Sequence, residues 1–239
     1  YHDATQSMEE TLNLFNLGYL TIELRALAER LFWAFSRKLY RLTRELDYVP
    51  EELNGLENML SDTYFCNFSL FQSMPDSWAI GQLFPVMPIH RLAERPARFG
   101  VLADITCDCD GKIDRFIDKE DVAKVLPLHD IRPDESYYVA VFLVGAYQET
   151  LGDLHNLLGD TNVVGVHLEK GKPVYTHEVE GDTVADVLSY VEYDPKELVS
   201  RFRGFAEKAV NDGRISPKER REILDLYREG LAGYTYFES

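Results

Sequence analysis

Residues 103–114 directly follow an apolar run and read Ala-Asp-Ile-Thr-Cys-Asp-Cys-Asp-Gly-Lys-Ile-Asp. Two thiols and four carboxylates fall within the eleven residues from Asp104 to Asp114. Crowded carboxylates repel one another, so such a cluster usually holds a cation, a metal or a charged substrate. The alternatives are a calcium loop, a Cys-x-Cys redox or metal site, an active-site loop facing a cationic substrate, and a solvated acidic turn.

The spacing argues against a metal. Aligning Gly111 with the glycine of an EF-hand loop puts Thr106 at the first acidic ligand and Ile117 at the bidentate glutamate. Cys107 and Cys109 lack the two-residue spacer with which one tetrahedral metal takes both thiolates. Four histidines in the middle of the chain also lack ligand spacing: His129, His155, His167 and His177. We therefore assign no residue to a metal.

Composition limits the class of partner and the compartment. The 239 residues carry a formal charge of −16, which argues against nucleic acid or an anionic membrane and suits cationic small molecules. Three cysteines without framework spacing suggest a reducing, cytoplasmic setting. No apolar run is long enough to cross a bilayer. The chain opens Tyr-His-Asp without a methionine, so we expect a fragment or a processed chain.

The first 62 residues predict a helical block. From Thr21, a predicted N-cap, apolar residues recur at three- and four-residue steps as far as Leu46, which is typical of a long amphipathic helix. A shorter helix is predicted over residues 6–17, and Pro50 is predicted to open a third that runs to about residue 60.

The middle of the chain predicts antiparallel strands and the end predicts helices. Strands are predicted over residues 64–73, 99–105, 137–144, 162–169 and 173–180, with a tight hairpin at Lys170-Gly171. Helices are predicted after Thr183, from Asp194-Pro195, and from the capping box Ser216-Pro-Lys-Glu219. This order predicts a segregated α+β fold with three parts, residues 1–62, 63–193 and 194–239.

A second stretch with chemical potential covers residues 144–153, Val-Gly-Ala-Tyr-Gln-Glu-Thr-Leu-Gly-Asp. Gly145 permits a tight exit from the preceding strand and a close approach of a ligand. Tyr147 projects a phenol there, either toward a ligand or into the core with a satisfied hydroxyl. Asp76 is a candidate helix cap, and Cys66, in an aromatic setting, is expected to be buried.

Three strings together resemble the C-terminal part of the biosynthetic arginine decarboxylases. They are residues 67–78 (Asn-Phe-Ser-Leu-Phe-Gln-Ser-Met-Pro-Asp-Ser-Trp), residues 102–114, and residues 142–156 (Phe-Leu-Val-Gly-Ala-Tyr-Gln-Glu-Thr-Leu-Gly-Asp-Leu-His-Asn). The family shares the fold type of ornithine and diaminopimelate decarboxylases and alanine racemase. The resemblance implies a helical insert, an antiparallel β-barrel and a helical tail. The family's (β/α)₈ barrel, with the Schiff-base lysine, has no counterpart in these residues.

The resemblance also implies roles for individual residues. Cys107 matches the cysteine that protonates the substrate α-carbon across a dimer interface; a free thiol, with a pKa of about 8.5, is largely protonated at neutral pH. Asp108 matches the acid that binds the distal guanidinium of the substrate, and Asp110 could share this contact. Tyr147 matches the tyrosine that binds the cofactor phosphate. Cys109 departs from the pattern, because a serine is expected there.

The implied activity is the decarboxylation of arginine to agmatine and CO₂, a step of putrescine and spermidine (polyamine) biosynthesis. The implied cofactor is pyridoxal 5′-phosphate, with Mg²⁺ possible, and the implied partners are the N-terminal barrel and further subunits of a homodimer or tetramer. We expect the isolated chain to be inactive. The alternative is a non-catalytic helical and β-barrel module whose acidic loop binds Ca²⁺, another cation or a partner protein.

Overall fold

The computed structural model describes residues 1–43, 50, 53, 55–119 and 121–238. The chain divides into two compact units. The first consists of residues 1–64, 87–101 and 114–140, and the second of residues 65–86, 102–113 and 141–239. None of the helices in the described residues has the length and apolar character that a membrane-spanning segment needs.

Two long helices, α1 (His2–Asn16) and α2 (Ile22–Thr43), open the first unit and pack against each other. Gly18, between them, has a φ of +79°, a conformation that glycine adopts without steric cost. The hydroxyl of Thr21 accepts a hydrogen bond of 3.5 Å from the amide of Leu24. Thr21 therefore caps α2 as predicted.

The other helix predictions of this unit are only partly described. Helix α1 begins four residues before the predicted start at residue 6. Helix α2 follows the prediction as far as residue 43, and residues 44–49 lie outside the described residues. Of the helix predicted over residues 50–60, the structure shows α3 (Leu56–Met59), while residues 51, 52 and 54 lie outside the described part.

Strands of two to eight residues make up the β-structure. In chain order they are β1 (Asp62–Phe65), β2 (Val86–Pro88), β3 (Arg98–Ala103), β4 (Lys112–Ile113), β5 (Phe116–Ile117), β6 (Val122–Ala123), β7 (Leu126–Leu128), β8 (Val139–Val141), β9 (Val163–Glu169) and β10 (Lys172–Val179). In the first unit, residues 98–100 of β3 run antiparallel to residues 126–128 of β7. In the second unit, residues 102–103 of β3 run antiparallel to residues 112–113 of β4.

The α+β class is confirmed, but among the described residues the strands do not close into the predicted barrel. Strands β4, β5 and β6 are two residues long, which leaves each with too few ladder hydrogen bonds to continue a sheet. Within the part of the chain that the structure describes, strands β9 and β10 pair only with each other. Their hairpin turns at Lys170 and Gly171, both with positive φ (50° and 77°), which is the predicted tight turn.

The second unit holds the short helices around the candidate site and the C-terminal helices. They are α4 (Leu70–Ser73), α5 (Pro75–Ala79), α6 (Ala146–Thr150), α7 (Val184–Tyr190), α8 (Pro195–Asn211) and α9 (Pro217–Ala232). The predicted starts of the last three are confirmed. Thr183 and Ser216 each form a complete capping box, and the Asp194 side chain accepts the amide proton of Lys196.

The strand predicted over residues 64–73 is wrong from residue 66 onward. Strand β1 ends at residue 65, and α4 begins at residue 70. The hydroxyl of Ser69 accepts a hydrogen bond of 3.3 Å from the amide of Gln72, so Ser69 starts a helix instead of continuing the alternation. Likewise, of the residues 137–144 that were predicted as a strand, only those of β8 (Val139–Val141) pair with another strand. The three-part division of the chain stays a prediction.

Candidate active site

A buried carboxylate, that of Asp104, organises the acidic loop. Asp104 is 2% exposed and lies directly after β3. Its Oδ2 accepts a hydrogen bond of 2.8 Å from the amide of Leu70, the first residue of α4. Its Oδ1 accepts two more from Thr106, from the amide at 2.9 Å and from the hydroxyl at 2.7 Å. A buried carboxylate needs such partners, and here they fix the loop to the start of α4.

The loop is closed at its other end by Gly111. The amide of Asp104 donates a hydrogen bond of 2.8 Å to the carbonyl oxygen of Gly111. A Cβ atom at position 111 would overlap the carboxylate of Asp104 and lie 2.6 Å from Oγ1 of Thr106. Only glycine therefore fits against this buried group without displacing it.

We expect Gly111→Ala to destabilise the intact protein by about 1–3 kcal/mol, the usual cost of forcing an atom into a packed site. Gly145→Ala is the matched control, because a Cβ atom there would meet nothing within 4 Å. Urea denaturation of both variants measures the difference. Equal midpoints for the two variants would show that the closed end of the loop tolerates the extra methyl group.

The tip of the loop is exposed and folded back on itself. Cys107, Asp108, Cys109 and Asp110 are all exposed. Oδ1 of Asp108 accepts a hydrogen bond of 2.9 Å from the amide of Asp110, and the carbonyl oxygen of Asp108 accepts one of 3.1 Å from the amide of Gly111. The structure thus brings the predicted residues Cys107, Asp108 and Asp110 together on one tight turn.

Two further residues, His155 and Asn156, contact this turn, and no role was predicted for either of them. Oδ1 of Asn156 accepts a hydrogen bond of 3.1 Å from the amide of Cys107, and its Nδ2 donates one of 3.3 Å to Sγ. Nε2 of His155 lies 3.9 Å from Oδ2 of Asp108. The His155 ring packs against the buried ring of Phe71, with centroids 4.4 Å apart. His155 and Asn156 are the last two residues of the 142–156 string, and this position was the one signal in the sequence that could have indicated a role for them.

Tyr147 lies on α6 in the same unit, and its side chain is 76% exposed. Its neighbour Gln148 is buried and exchanges two hydrogen bonds with Asp76, one through Oε1 (3.0 Å) and one through Nε2 (2.5 Å). This pair fixes α6 and leaves the phenol outside, so the core-aromatic alternative is wrong. The expected capping role of Asp76 is also wrong, since Met74 precedes α5 and Asp76 binds Gln148 instead.

The three thiols differ in their surroundings. Cys107 and Cys109 are exposed, whereas Cys66 is half-buried, and burial raises the pKa of the Cys66 thiol to about 11. A thiol with so high a pKa is a poor nucleophile near neutral pH. Ligand atoms of Asp108, Cys109 and Asp110 lie within 4.8 Å of one another on the exposed tip. Exposed acidic groups commonly lie this close without a metal, and the assignment of no metal stays a prediction.

Known protein families match both ends of the chain. Residues 1–57 match the arginine decarboxylase helical bundle domain, and residues 184–237 match the arginine decarboxylase C-terminal helical extension. The chain belongs to the arginine decarboxylase family. Its residues therefore correspond to the C-terminal portion of such proteins, and the resemblance seen in the three sequence strings is confirmed.

Relatives cover the residues between these two ends. The biosynthetic arginine decarboxylase of Gloeobacter violaceus is 55% identical over 241 residues, which cover 99% of this chain and 37% of that protein. The one from Bacteroides thetaiotaomicron is 53% identical over 239 residues, 100% of this chain and 38% of that protein. A crystal structure of the Campylobacter jejuni enzyme superposes with a TM-score of 0.79 at 33% identity, covering 100% of this chain and 37% of that one.

The chain thus spans little more than a third of the length of the curated relatives it matches.

Proposed function

We propose that this chain is the C-terminal portion of a cytoplasmic, pyridoxal-phosphate-dependent decarboxylase that converts arginine to agmatine and CO₂ for polyamine biosynthesis. The observation that carries the proposal is the exposed turn on which a thiol and two carboxylates, from Cys107, Asp108 and Asp110, are held by a buried anchor. Such a turn can offer both a proton and a counter-charge to one cationic amino acid. The type of reaction is inferred from membership in the arginine decarboxylase family.

The residues of this chain fit pyridoxal phosphate as one part of its site. The exposed phenol of Tyr147 can donate one hydrogen bond to a phosphate oxygen, and the space around the neighbouring Gly145 is open to an approaching group. One hydrogen bond contributes roughly 1 kcal/mol, too little to hold a cofactor. When bound, the cofactor withdraws the electrons that the departing CO₂ leaves on the substrate. The rest of its site is proposed to come from the N-terminal barrel.

Cys107 is proposed to supply the proton that replaces the carboxyl group. Its Sγ is exposed on the turn, where a substrate can reach it. The thiol gives its proton to the α-carbon, and the resulting thiolate regains a proton from solvent before the next turnover. A positioned general acid of this kind accelerates its step by about 10²–10⁴-fold.

Asp108 is proposed to bind the guanidinium end of arginine. One oxygen of its carboxylate is engaged by the amide of Asp110, and Oδ2 faces His155 at 3.9 Å. A guanidinium presents paired N–H donors that match a carboxylate, which gives a stronger contact than a single ammonium does. The exposed Asp110 carboxylate lies on the same turn and can share the charge.

An exposed turn of this kind also supports the proposal that the loop serves a neighbouring subunit of a dimer or tetramer. Charges at an interface need compensation, which the substrate cation or basic residues of the facing barrel would supply. We keep the division into residues 1–62, 63–193 and 194–239 as a proposal. The match of residues 1–57 supports its first boundary, whereas the match of residues 184–237 begins before the proposed start of the tail at residue 194.

Magnesium does not fit the side chains that the structure describes. The one group of candidate ligands found among them, Asp108, Cys109 and Asp110, places a soft thiol between two carboxylates. Mg²⁺ prefers an octahedral set of oxygen ligands. The alternative of a calcium loop is weakened because Thr106 offers a hydroxyl where the first ligand of such a loop is a carboxylate, and this hydroxyl donates its proton to Asp104.

The test is release of CO₂ from arginine by the full-length protein supplied with pyridoxal phosphate. We expect agmatine as the product, with lysine and ornithine turned over more slowly. The isolated 239-residue chain should release no CO₂ and should not bind the cofactor covalently, because one phenol cannot hold it. A borohydride-stable, stoichiometric adduct on the isolated chain would contradict this. An inactive full-length protein whose loop binds Ca²⁺ would favour the non-catalytic module instead.

A further inference from the structure

The backbone at Asn156 has a conformation that few residues accept. Its φ is 58° and its ψ is 22°, in the left-handed region, and the next residue, Leu157, also has a φ of 58°. Asparagine tolerates this region better than most other residues with a side chain. The turn carries the Asn156 side chain back to residue 107, which lies 49 positions earlier in the chain.

The orientation of the Asn156 amide follows from its partners. The amide nitrogen of Cys107 can only donate, so the atom that faces it at 3.1 Å must be the oxygen Oδ1. The NH₂ group is then the one that faces Sγ at 3.3 Å, and it can only donate. The sulfur is therefore the acceptor. Its own proton must point away from Asn156.

We infer that Asn156 is a positioning residue that holds the Cys107 thiol in one orientation with its proton directed away from the amide, toward the substrate. The inference rests on the proposed function of Cys107 as a proton donor. Two contacts from one side chain, to the backbone and to the sulfur of the same residue, restrict both the position of Cys107 and its side-chain rotation. Loss of rotational freedom before the reaction is what makes a general acid effective.

The neighbouring contact supports the same arrangement. His155 lies 3.9 Å from the Asp108 carboxylate and is packed against buried Phe71. Consecutive residues, His155 and Asn156, thus face the consecutive residues Asp108 and Cys107. The thiol and the carboxylate are set relative to each other by one short segment on a buried aromatic ring.

Two variants of the full-length enzyme separate this role from a structural one. Asn156→Asp keeps the size, tolerates positive φ and can still accept the amide proton of Cys107, but it puts an acceptor where the sulfur needs a donor. Asn156→Gly suits positive φ and removes both contacts. Thermal melting controls for folding, and the retained backbone contact makes the aspartate variant the decisive one.

The measurements are kcat, KM for arginine, and the rates at which iodoacetamide alkylates Cys107 and Cys109, followed by peptide mass spectrometry. For Asn156→Asp we expect kcat to fall by about tenfold or more with KM within about twofold. Alkylation of Cys107 should slow severalfold, because a carboxylate beside the sulfur disfavours the thiolate, while Cys109 should be unchanged. Asn156→Gly should also lose kcat, but its Cys107 should be alkylated faster than in Asn156→Asp, because glycine places no carboxylate beside the sulfur.

A folded Asn156→Asp enzyme with unchanged kcat, or with unchanged alkylation of Cys107, would overturn the inference. So would an equal slowing at Cys109. Failure of the proposed function is recognised separately, because the wild-type protein would then release no CO₂ from arginine. The alkylation rates still report in that case whether Asn156 controls the thiol.

Discussion

Replacing Cys107 by alanine in the full-length enzyme should lower kcat for arginine by about a hundredfold or more, the usual loss when a positioned general acid is removed. The physical reason is that alanine leaves the α-carbon to be protonated by solvent, without orientation. Initial rates of CO₂ release at saturating arginine measure the effect. We also expect side products from misdirected protonation, which chromatography of the amine and aldehyde products detects.

Cys109→Ser is the matched control for this prediction. Cys109 lies two residues away on the same exposed turn, and it stands where the family pattern leads us to expect a serine. Serine keeps the size and a hydroxyl donor, so the turn should persist and kcat should stay within about twofold of wild type, as for most substitutions on an exposed surface. Equal losses at both positions would show that the assignment of Cys107 as the proton donor is wrong, so that the proton comes from Cys109 or from neither thiol.

Asp108→Ala should weaken arginine binding by about 2–5 kcal/mol if the charge pair with the guanidinium is desolvated. The cofactor spectrum and the oligomeric state should not change, because the contacts described for the Asp108 side chain lie within the turn and to His155. Titration calorimetry with arginine, or KM where chemistry is slow, measures the loss.

Asp108→Asn separates the charge from the shape of the turn. Asparagine can still accept the amide proton of Asp110 through its oxygen, as Asp108 does at 2.9 Å, but carries no charge. If the carboxylate acts on the guanidinium, the asparagine variant should lose nearly as much affinity as the alanine variant. Recovery of wild-type affinity in Asp108→Asn would mean that the turn, not the charge, matters for binding.

Mixing the Asp108→Ala enzyme with a variant of the barrel lysine tests whether the loop serves a neighbouring subunit. If it does, each mixed dimer contains one site with both defects and one with neither, so activity should return in part. Activity is measured against the mixing ratio, with heterodimers verified by native mass spectrometry. Verified heterodimers without activity would place the loop in the site of its own subunit.

Local signals in the sequence predicted the parts of the fold that depend on neighbouring residues. The helix start after Thr183, the capping box at Ser216 and the tight turn at Lys170-Gly171 occur where they were expected. The roles of Cys107 and Asp108 were implied by the resemblance to the family, because the residues of the acidic loop by themselves left several alternatives open. At these helix starts and at this turn, the interaction that fixes the structure spans four residues or fewer, so the spacing of residue types along the sequence reveals it.

Interactions between distant residues were not predictable in this way. Nothing local indicates that Asn156 binds Cys107, because the contact depends on a left-handed turn that propensity does not reveal. The strand predicted over residues 64–73 failed because Ser69 caps a helix whose first amide is also held by Asp104, 34 residues later. Tertiary contact decided between two locally acceptable conformations there.

The buried side chain of Asp104 and the hydrogen bond between Asp104 and Gly111 make the acidic turn a segment with fixed ends. Both ends of the segment are joined by the hydrogen bond between the Asp104 amide and the Gly111 carbonyl, and the start of α4 is tied to the same side chain. We therefore expect that the four residues at the tip, 107–110, can be exchanged for those of a decarboxylase with another substrate without moving the ends. A transplant that omitted Asp104 or Gly111 would place the new residues on a loop whose ends are not fixed.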